Sequence, residues 1–287
     1  MSQKDLQLLR REIDQIDQHI HDLLAKRVDV VDEIVKEKRK SGGQIIFPAR
    51  EADLVKKLLS MHQGKFPRKS VFRIWREIIG ATTKIQTGDV SVVVPVGDKP
   101  DSIVFMELAK DFFSSVLSFK KASNPVSALT MIREGEATFA VMPWPVDGEQ
   151  KCWWRMFKDE IGEEGLNVIA RLPFADEEID QGHYEHRAVV VARLPFDPSE
   201  SDRSFVVVDL DQDISRGGLV EKCKKAEMPP IFVYTSPGDS YLPPLHLVEV
   251  EGYVAQDDKR LRALEKEIGG PMTRCYRIGG YAEPPQY

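Results

Sequence analysis

Arg27 stands where an apolar ladder calls for an aliphatic side chain. Leu6, Leu9, Ile13, Ile16, Ile20 and Leu23 recur at alternating spacings of three and four, and Val30 and Ile34 resume the pattern beyond the guanidinium. Lys38 follows eleven residues after Arg27. At about 100° per residue that is close to three helical turns, so the two cations share one face, about 16 Å apart. A lone cation in such a stripe usually lifts its head to water or pairs with a carboxylate. Two on one face, followed by an arginine-bearing second helix at Arg50, suit a different partner: a dianionic ligand whose charges neutralise them. Arg10 lies seventeen residues before Arg27, about 100° round the helix and about 25 Å away. It is placed for the pocket of a neighbouring copy rather than for the same pocket.

The element that must carry these groups is one helix over residues 5–41, with Asp5 as its N-cap and Gly42-Gly43 as its stop. At about 54 Å it is too long for a small monomeric domain. Its stripe calls for a second such helix alongside, hence a homodimer through the long N-terminal helix. Pro48 opens a second helix, residues 49–61, with Leu54, Leu58 and Met61 on one face, Arg50 on that face and Glu51 beside it. A third, residues 69–86, carries Val71, Ile74, Trp75, Ile78 and Ile79, and Thr82 and Gln86 extend the stripe.

The whole chain has 287 residues, 42% hydrophobic and 30% charged, with a net charge of −6 and a pI near 5.6. That length fits two or three domains. The acidic balance argues against nucleic acid as a partner, and no apolar run reaches the length of a membrane span. The N-terminus enters a charged helix with no signal-peptide apolar core, which points to a cytoplasmic protein. Cys152, Cys223 and Cys275 are far apart and, with the six scattered histidines, form no metal-ligand set.

The runs Leu9-Arg10-Arg11-Glu12-Ile13, Leu24-Ala25-Lys26-Arg27, Lys36-Glu37-Lys38, Ala49-Arg50-Glu51 and Thr82 to Gln86 resemble the all-helical (AroQ-type) chorismate mutase domain. The resemblance covers residues 1–87 and keeps the spacing across three helices. It implies an intertwined dimer with two sites, chorismate as substrate, prephenate as product and no cofactor or metal. The rearrangement is pericyclic and needs no nucleophile, so catalysis comes from holding a compact conformer and stabilising charge at the breaking ether oxygen. Arg27, and Arg10 from the other subunit, would pair with the substrate carboxylates. Lys38 and Gln86 would donate to the ether oxygen, Glu51 would accept from the substrate hydroxyl, Thr82 would support a carboxylate and Arg50 would order the site. One departure is Phe47, where many relatives have a short acidic residue near that hydroxyl.

Beyond a linker at Thr87-Gly88-Asp89, strands and helices alternate over residues 90–142, which reads as α/β. A helix-like stretch over residues 153–161 and strands over 166–172 and 188–194 follow. The run Gly135-Glu136-Ala137-Thr138-Phe139-Ala140-Val141-Met142-Pro143 is similar to the first lobe of prephenate dehydratases, which bifunctional P-proteins fuse to the mutase. That family has Glu-Asn soon after the proline, where this chain has Trp144-Pro145. Its catalytic Thr-Arg-Phe appears here as Glu185-His186-Arg187-Ala188, without the threonine. Residues 88–203 therefore read as a degenerate dehydratase-like, periplasmic-binding-like α/β lobe.

Residues 204–287 give the order βαββαβ, the ferredoxin-like arrangement. They resemble the ACT regulatory domain: Gly217-Gly218-Leu219-Val220 is similar to its effector-lining turn, and Ile278-Gly279-Gly280-Tyr281 to its closing strand. The resemblance implies phenylalanine or tyrosine as effector. Its second effector motif survives only as Tyr234-Thr235-Ser236-Pro237, without glutamate or arginine. The fold class is multidomain, α plus α/β. The leading function is chorismate mutase with a regulatory or vestigial C-terminal region. A bifunctional mutase/dehydratase and a noncatalytic amino-acid-binding regulatory protein are the alternatives.

Overall fold

The apolar ladder of the N-terminus forms a single helix, α1 (Gln3–Ser41), in a computed structural model that describes residues 3–41, 44–97, 102–160, 162, 165–174, 187–210, 214–238 and 243–285. Because α1 begins at Gln3, Asp5 lies in its first turn rather than capping it, where its charge still favours the helix dipole. The expected stop at Gly42-Gly43 lies outside the described residues. Helix α2 (Pro48–Met61) opens on its proline. Helix α3 (Arg68–Thr87) ends at Gly88, whose φ of 81° and N–H bond to the Lys84 carbonyl close the last turn.

A mixed layer follows: β1 (Ser91–Pro95), α4 (Ser102–Phe112), β2 (Ser118–Ala122), α5 (Pro125–Arg133), β3 (Phe139–Pro143), β4 (Asn167–Leu172) and β5 (Ala188–Ala192). Helix α5 is capped by Asn124, whose side chain accepts from the Ser127 N–H. The stretch read as helix over 153–161 is a 3-10 helix, Trp153–Asp159; Ile161 lies outside the described residues. Strands β1, β2 and β3 are parallel, while β5 runs antiparallel to both β3 and β4. Val92, Val93 and Val94 are all buried because helices cover both faces of a parallel strand.

The C-terminal unit is β6 (Asp202–Asp209), α6 (Arg216–Lys225), β7 (Pro230–Ser236), β8 (Leu245–Glu251), α7 (Lys259–Ile268) and β9 (Arg274–Ala282). Its strand order β9-β6-β8-β7, with every pairing antiparallel, is ferredoxin-like. Helix α7 is capped by Asp258, whose side chain accepts from the Arg260 N–H.

The two sheets join. Strand β9 pairs parallel with β4 at Gly279 and Val168, giving one nine-stranded sheet ordered β2-β1-β3-β5-β4-β9-β6-β8-β7. Gly279 has a φ of 106°, and a Cβ there would collide with the Val168 backbone. That glycine permits the close approach of the two units.

Helices α2 and α3 dock on this sheet. Val55, Leu59, Phe72 and Ile79 form a core cluster with Phe174 and Ala282. The faces expected from sequence are partly turned: Ile79 is buried as expected, but Met61 and Ile74 are exposed, while Val55, Leu59, Phe72 and Arg76 are buried. Each helix carries two apolar faces, and the sheet takes the one that the three-helix reading did not assign. Helix α1 touches the chain through α3. Its stripe stays open, with Ile13 57% and Leu23 65% exposed.

Candidate active site

Three helices bring part of the predicted polar set together, Arg27 of α1 with Thr82 of α3 and, at electrostatic range, Glu51 of α2. Arg27 of α1 donates from Nη1 to the Thr82 hydroxyl of α3 at 3.2 Å. Thr82 is buried, and its hydroxyl lies 2.9 Å from the Ile78 carbonyl and 2.8 Å from that of Ile79, so it donates back into its own helix while accepting from Arg27. Burial pulls the Arg27 guanidinium below its ordinary pKa, and the nearby Glu51 carboxylate pushes it back up. Arg27 and Glu51 therefore lie within electrostatic reach of each other.

Lys38 lies half-buried about three turns further along α1, its ammonium 3.9 Å from the centre of the Phe47 ring. Phe47, the residue that departs from the expected acidic one, thus forms a cation–π contact with a candidate catalytic cation. Burial lowers the Lys38 pKa, and the like charge of Arg50 lowers it further. Arg50 itself is exposed at the start of α2. Gln86 is half-buried in the last turn of α3, one turn beyond Thr82.

Arg10 is not gathered with these groups. It is exposed near the start of α1, and the helix rise sets it about 25 Å from Arg27. Within one chain Arg27 meets Thr82 and Glu51, and Lys38 meets Phe47 and the charge of Arg50.

Glu51 has a partner that the sequence reading did not assign. Its Oε2 accepts from Arg76 Nη1 at 3.1 Å. Arg76 is 6% exposed, donates from Nε to the Phe112 carbonyl at 2.6 Å, and lies 3.9 Å from the centre of the Phe112 ring. Burial raises the Glu51 pKa, and Arg76 first, then Arg27, oppose the rise. The available signal was the spacing of Arg76 from Phe72 and Ile79, which marks a second apolar face on α3 interrupted by a cation, as Arg27 interrupts α1.

The C-terminal candidates divide. Gly217 is exposed and Gly218 half-buried at the start of α6, where the Ser215 hydroxyl accepts from the Gly218 N–H at 3.1 Å. Leu219 is fully buried in the core and Val220 packs against it. The dehydratase-like stretch is closed: Trp144 is 4% exposed, rests against the rings of Phe205 and Tyr281, and donates from Nε1 to the Tyr234 hydroxyl at 2.8 Å. Glu185 and His186 lie outside the described residues. Among the described residues no group of three histidines, cysteines or acids stands ready for a metal, and no helix is long and apolar enough to cross a membrane.

Residues 9–87 match the family described as chorismate mutase type II. A curated relative, the bifunctional chorismate mutase/prephenate dehydratase of Aquifex aeolicus (strain VF5), is 28% identical over 144 residues, covering 49% of this chain and 39% of the relative. The chain thus spans about two fifths of the length of that relative. Among solved structures, GqqA, described as a novel type of quorum quenching acylase, overlaps 68% of this chain and 96% of its own at a TM-score of 0.46 and 13% identity. A prephenate dehydratase from Streptococcus mutans overlaps 69% of this chain and all of its own at 0.44 and 11% identity. Both are loose overlaps. The chain is P-protein-like, with a helical head that matches chorismate mutase type II at residues 9–87 and a mixed α/β sheet region behind it.

Proposed function

We propose that the chain is a chorismate mutase that converts chorismate to prephenate as a homodimer. The observation that carries this reading is the Arg27–Thr82 hydrogen bond with Glu51 at hand, inside the stretch that matches the mutase family. In the rearrangement a C–O bond breaks as a C–C bond forms, and no group on the protein gains or loses a proton. The protein's work is to fold the substrate and stabilise the oxygen that accumulates charge. Arg27, oriented by Thr82, binds one carboxylate. Lys38 and Gln86 donate to the ether oxygen. Arg10 enters from the partner's α1, whose open apolar stripe supports pairing of two such helices.

The proposed domains are 1–87, 88–203 and 204–287, with the last unit ACT-like and phenylalanine or tyrosine as its effector. The buried Trp144 favours a scaffold role for the middle region over a second catalytic site. The test is chorismate loss with purified protein beside Lys38→Ala, with phenylpyruvate assayed at the end. Turnover that disappears in the variant and leaves prephenate alone supports the mutase. Phenylpyruvate in the product would restore the bifunctional reading. An inactive parent would overturn the mutase assignment.

A further inference from the structure

A cavity opens where α2 and α3 meet the α/β sheet. It encloses about 700 Å³ of atom-free space when the open solvent at its mouth is included. Phe112, Phe113, Phe139 and Phe174 line it with aliphatic residues from both sides, among them Val55 and Ala170. Its charged lining is the Glu51–Arg76 pair. Glu51 uses Oε2 for Arg76, and Arg76 uses Nε for the Phe112 carbonyl and Nη1 for Glu51. Among the described residues the carboxylate keeps Oε1 as an acceptor and the guanidinium keeps Nη2 as a donor.

We propose that this cavity binds a net-neutral aromatic molecule whose polar head both donates and accepts, as a primary carboxamide does, and that its occupancy tunes the helical site through Glu51. The body fits the four phenylalanine rings, with offset or edge contacts between aromatic groups. The head completes the pair, donating to Glu51 Oε1 and accepting from Arg76 Nη2. Net neutrality follows from the pair itself: carboxylate and guanidinium already compensate each other, so an added unpaired charge in this low-dielectric lining would be disfavoured. Glu51 faces two ways. It touches Arg76 at the cavity and acts electrostatically on Arg27 at the predicted substrate site. A head that draws Glu51 toward the cavity weakens its hold on Arg27. This regulatory half rests on the mutase reading; the binding half does not.

The experiment is calorimetric titration of the full chain with 3-phenylpropanamide, 3-phenylpropanoate and L-phenylalanine, repeated on Ala170→Phe and, separately, Ala52→Phe. Each substitution fills the cavity from an opposite wall, so one folded variant suffices, checked by its unfolding midpoint. Saturable binding of the amide, at least tenfold weaker for the propanoate and at least tenfold weaker in a folded filled variant, is expected. L-phenylalanine binding that the filled variant loses places it in this cavity. L-phenylalanine binding that persists there, with no amide binding in the parent, would overturn the proposal in favour of the C-terminal region. No binding of any probe would also overturn it. In the active parent the amide should change chorismate turnover severalfold and leave the filled variant unaffected. Binding without that change would refute the regulatory half alone, and binding to a parent without turnover would refute the mutase reading and not the cavity.

Discussion

Replacing Arg76 by methionine should destabilise the protein in a pH-dependent way. The substitution keeps an unbranched side chain but removes three things: the ion pair to Glu51 at 3.1 Å, the bond to the Phe112 carbonyl at 2.6 Å and the stacking on the Phe112 ring. Breaking one side of a buried pair costs about 3–5 kcal/mol. The Glu51 side chain is 22% exposed, which puts the loss at the lower end. When Glu51 is protonated, the carbonyl bond and the ring contact are the main losses, together about 1–2 kcal/mol. The sign follows from Glu51. Burial raises its folded pKa above the ordinary carboxylate value, while Arg76 restrains the rise. A raised carboxyl favours the folded state below the unfolded pKa, and that contribution is lost as pH climbs through the folded pKa. Without Arg76 the folded pKa climbs further, so the variant loses more than the parent over the same rise. Denaturant unfolding of both proteins should therefore give a deficit of about 1–2 kcal/mol near pH 5 that grows to about 3–4 kcal/mol near pH 8. Glu51→Leu combined with Arg76→Met should recover most of the loss at the higher pH, since no buried charge is left behind. A deficit of the same size at both pH values would refute the assignment of Glu51 as the charge that Arg76 compensates.

Ile13→Asp together with Ile20→Asp, at positions 57% and 52% exposed on α1, should give a folded monomer by sedimentation velocity. Its chorismate turnover should fall at least a hundredfold, on the order of the 2.7 kcal/mol that one lost charged contact supplies in a transition state. Mutase turnover should be flat between about pH 6 and 8, because Gln86 has no proton to lose. It should then fall at alkaline pH, below the range of an ordinary lysine, as Lys38 with its lowered pKa deprotonates. Glu249→Gln should cost about 1–3 kcal/mol in unfolding. Glu249 is buried and accepts from the hydroxyls of Tyr281 at 2.5 Å and Tyr234 at 3.2 Å, with Arg203 at 3.6 Å, and the amide weakens all three.

The helices were legible because periodicity is local. The ladder from Leu6 to Ile34 defines α1 to within two residues at its start, and Pro48 and Gly88 punctuate α2 and α3. The ferredoxin-like order was legible for the same reason, since each strand and helix carries its own signal. What was not legible is which of two apolar faces meets which neighbour. Helix α3 offers Val71, Ile74 and Ile78 on one side and Phe72 and Arg76 on another, with the expected Ile79 buried between them, and only the tertiary contacts decide that the second side is buried. Arg76 escaped notice because an arginine on a helix reads as solvated until the Phe112 carbonyl and ring are seen to enclose it. The pairing of β4 with β9 escaped for a related reason: Ile278-Gly279-Gly280-Tyr281 reads as the closing strand of its own unit, and only Val168 standing against Gly279 shows that a second sheet joins there.

The way the burial is divided bears on how the helical region is built. In a free-standing three-helix module, α2 and α3 would turn their apolar faces toward α1. Here the sheet takes one face of each, and α1 is left against α3 with most of its stripe in water. Each fully covered aliphatic side chain contributes about 1.5–3 kcal/mol, so Leu9, Ile13, Ile16, Ile20 and Leu23 together represent a driving force that only a second long apolar face can satisfy. The copy that supplies such a face also carries Arg10 about 25 Å from Arg27, close to the length by which antiparallel neighbours must overlap for one helix's start to reach the other's middle. In the proposed homodimer, pairing and site completion are one event. The sheet contributes by fixing α2 and α3 through Val55, Leu59 and Phe72, so that Glu51 and Thr82 would be in place before the second α1 of the proposed homodimer arrived. Removal of the α/β region should therefore weaken the mutase even though none of its residues belongs to the predicted site, with Glu51 losing the Phe112-anchored Arg76 that holds it.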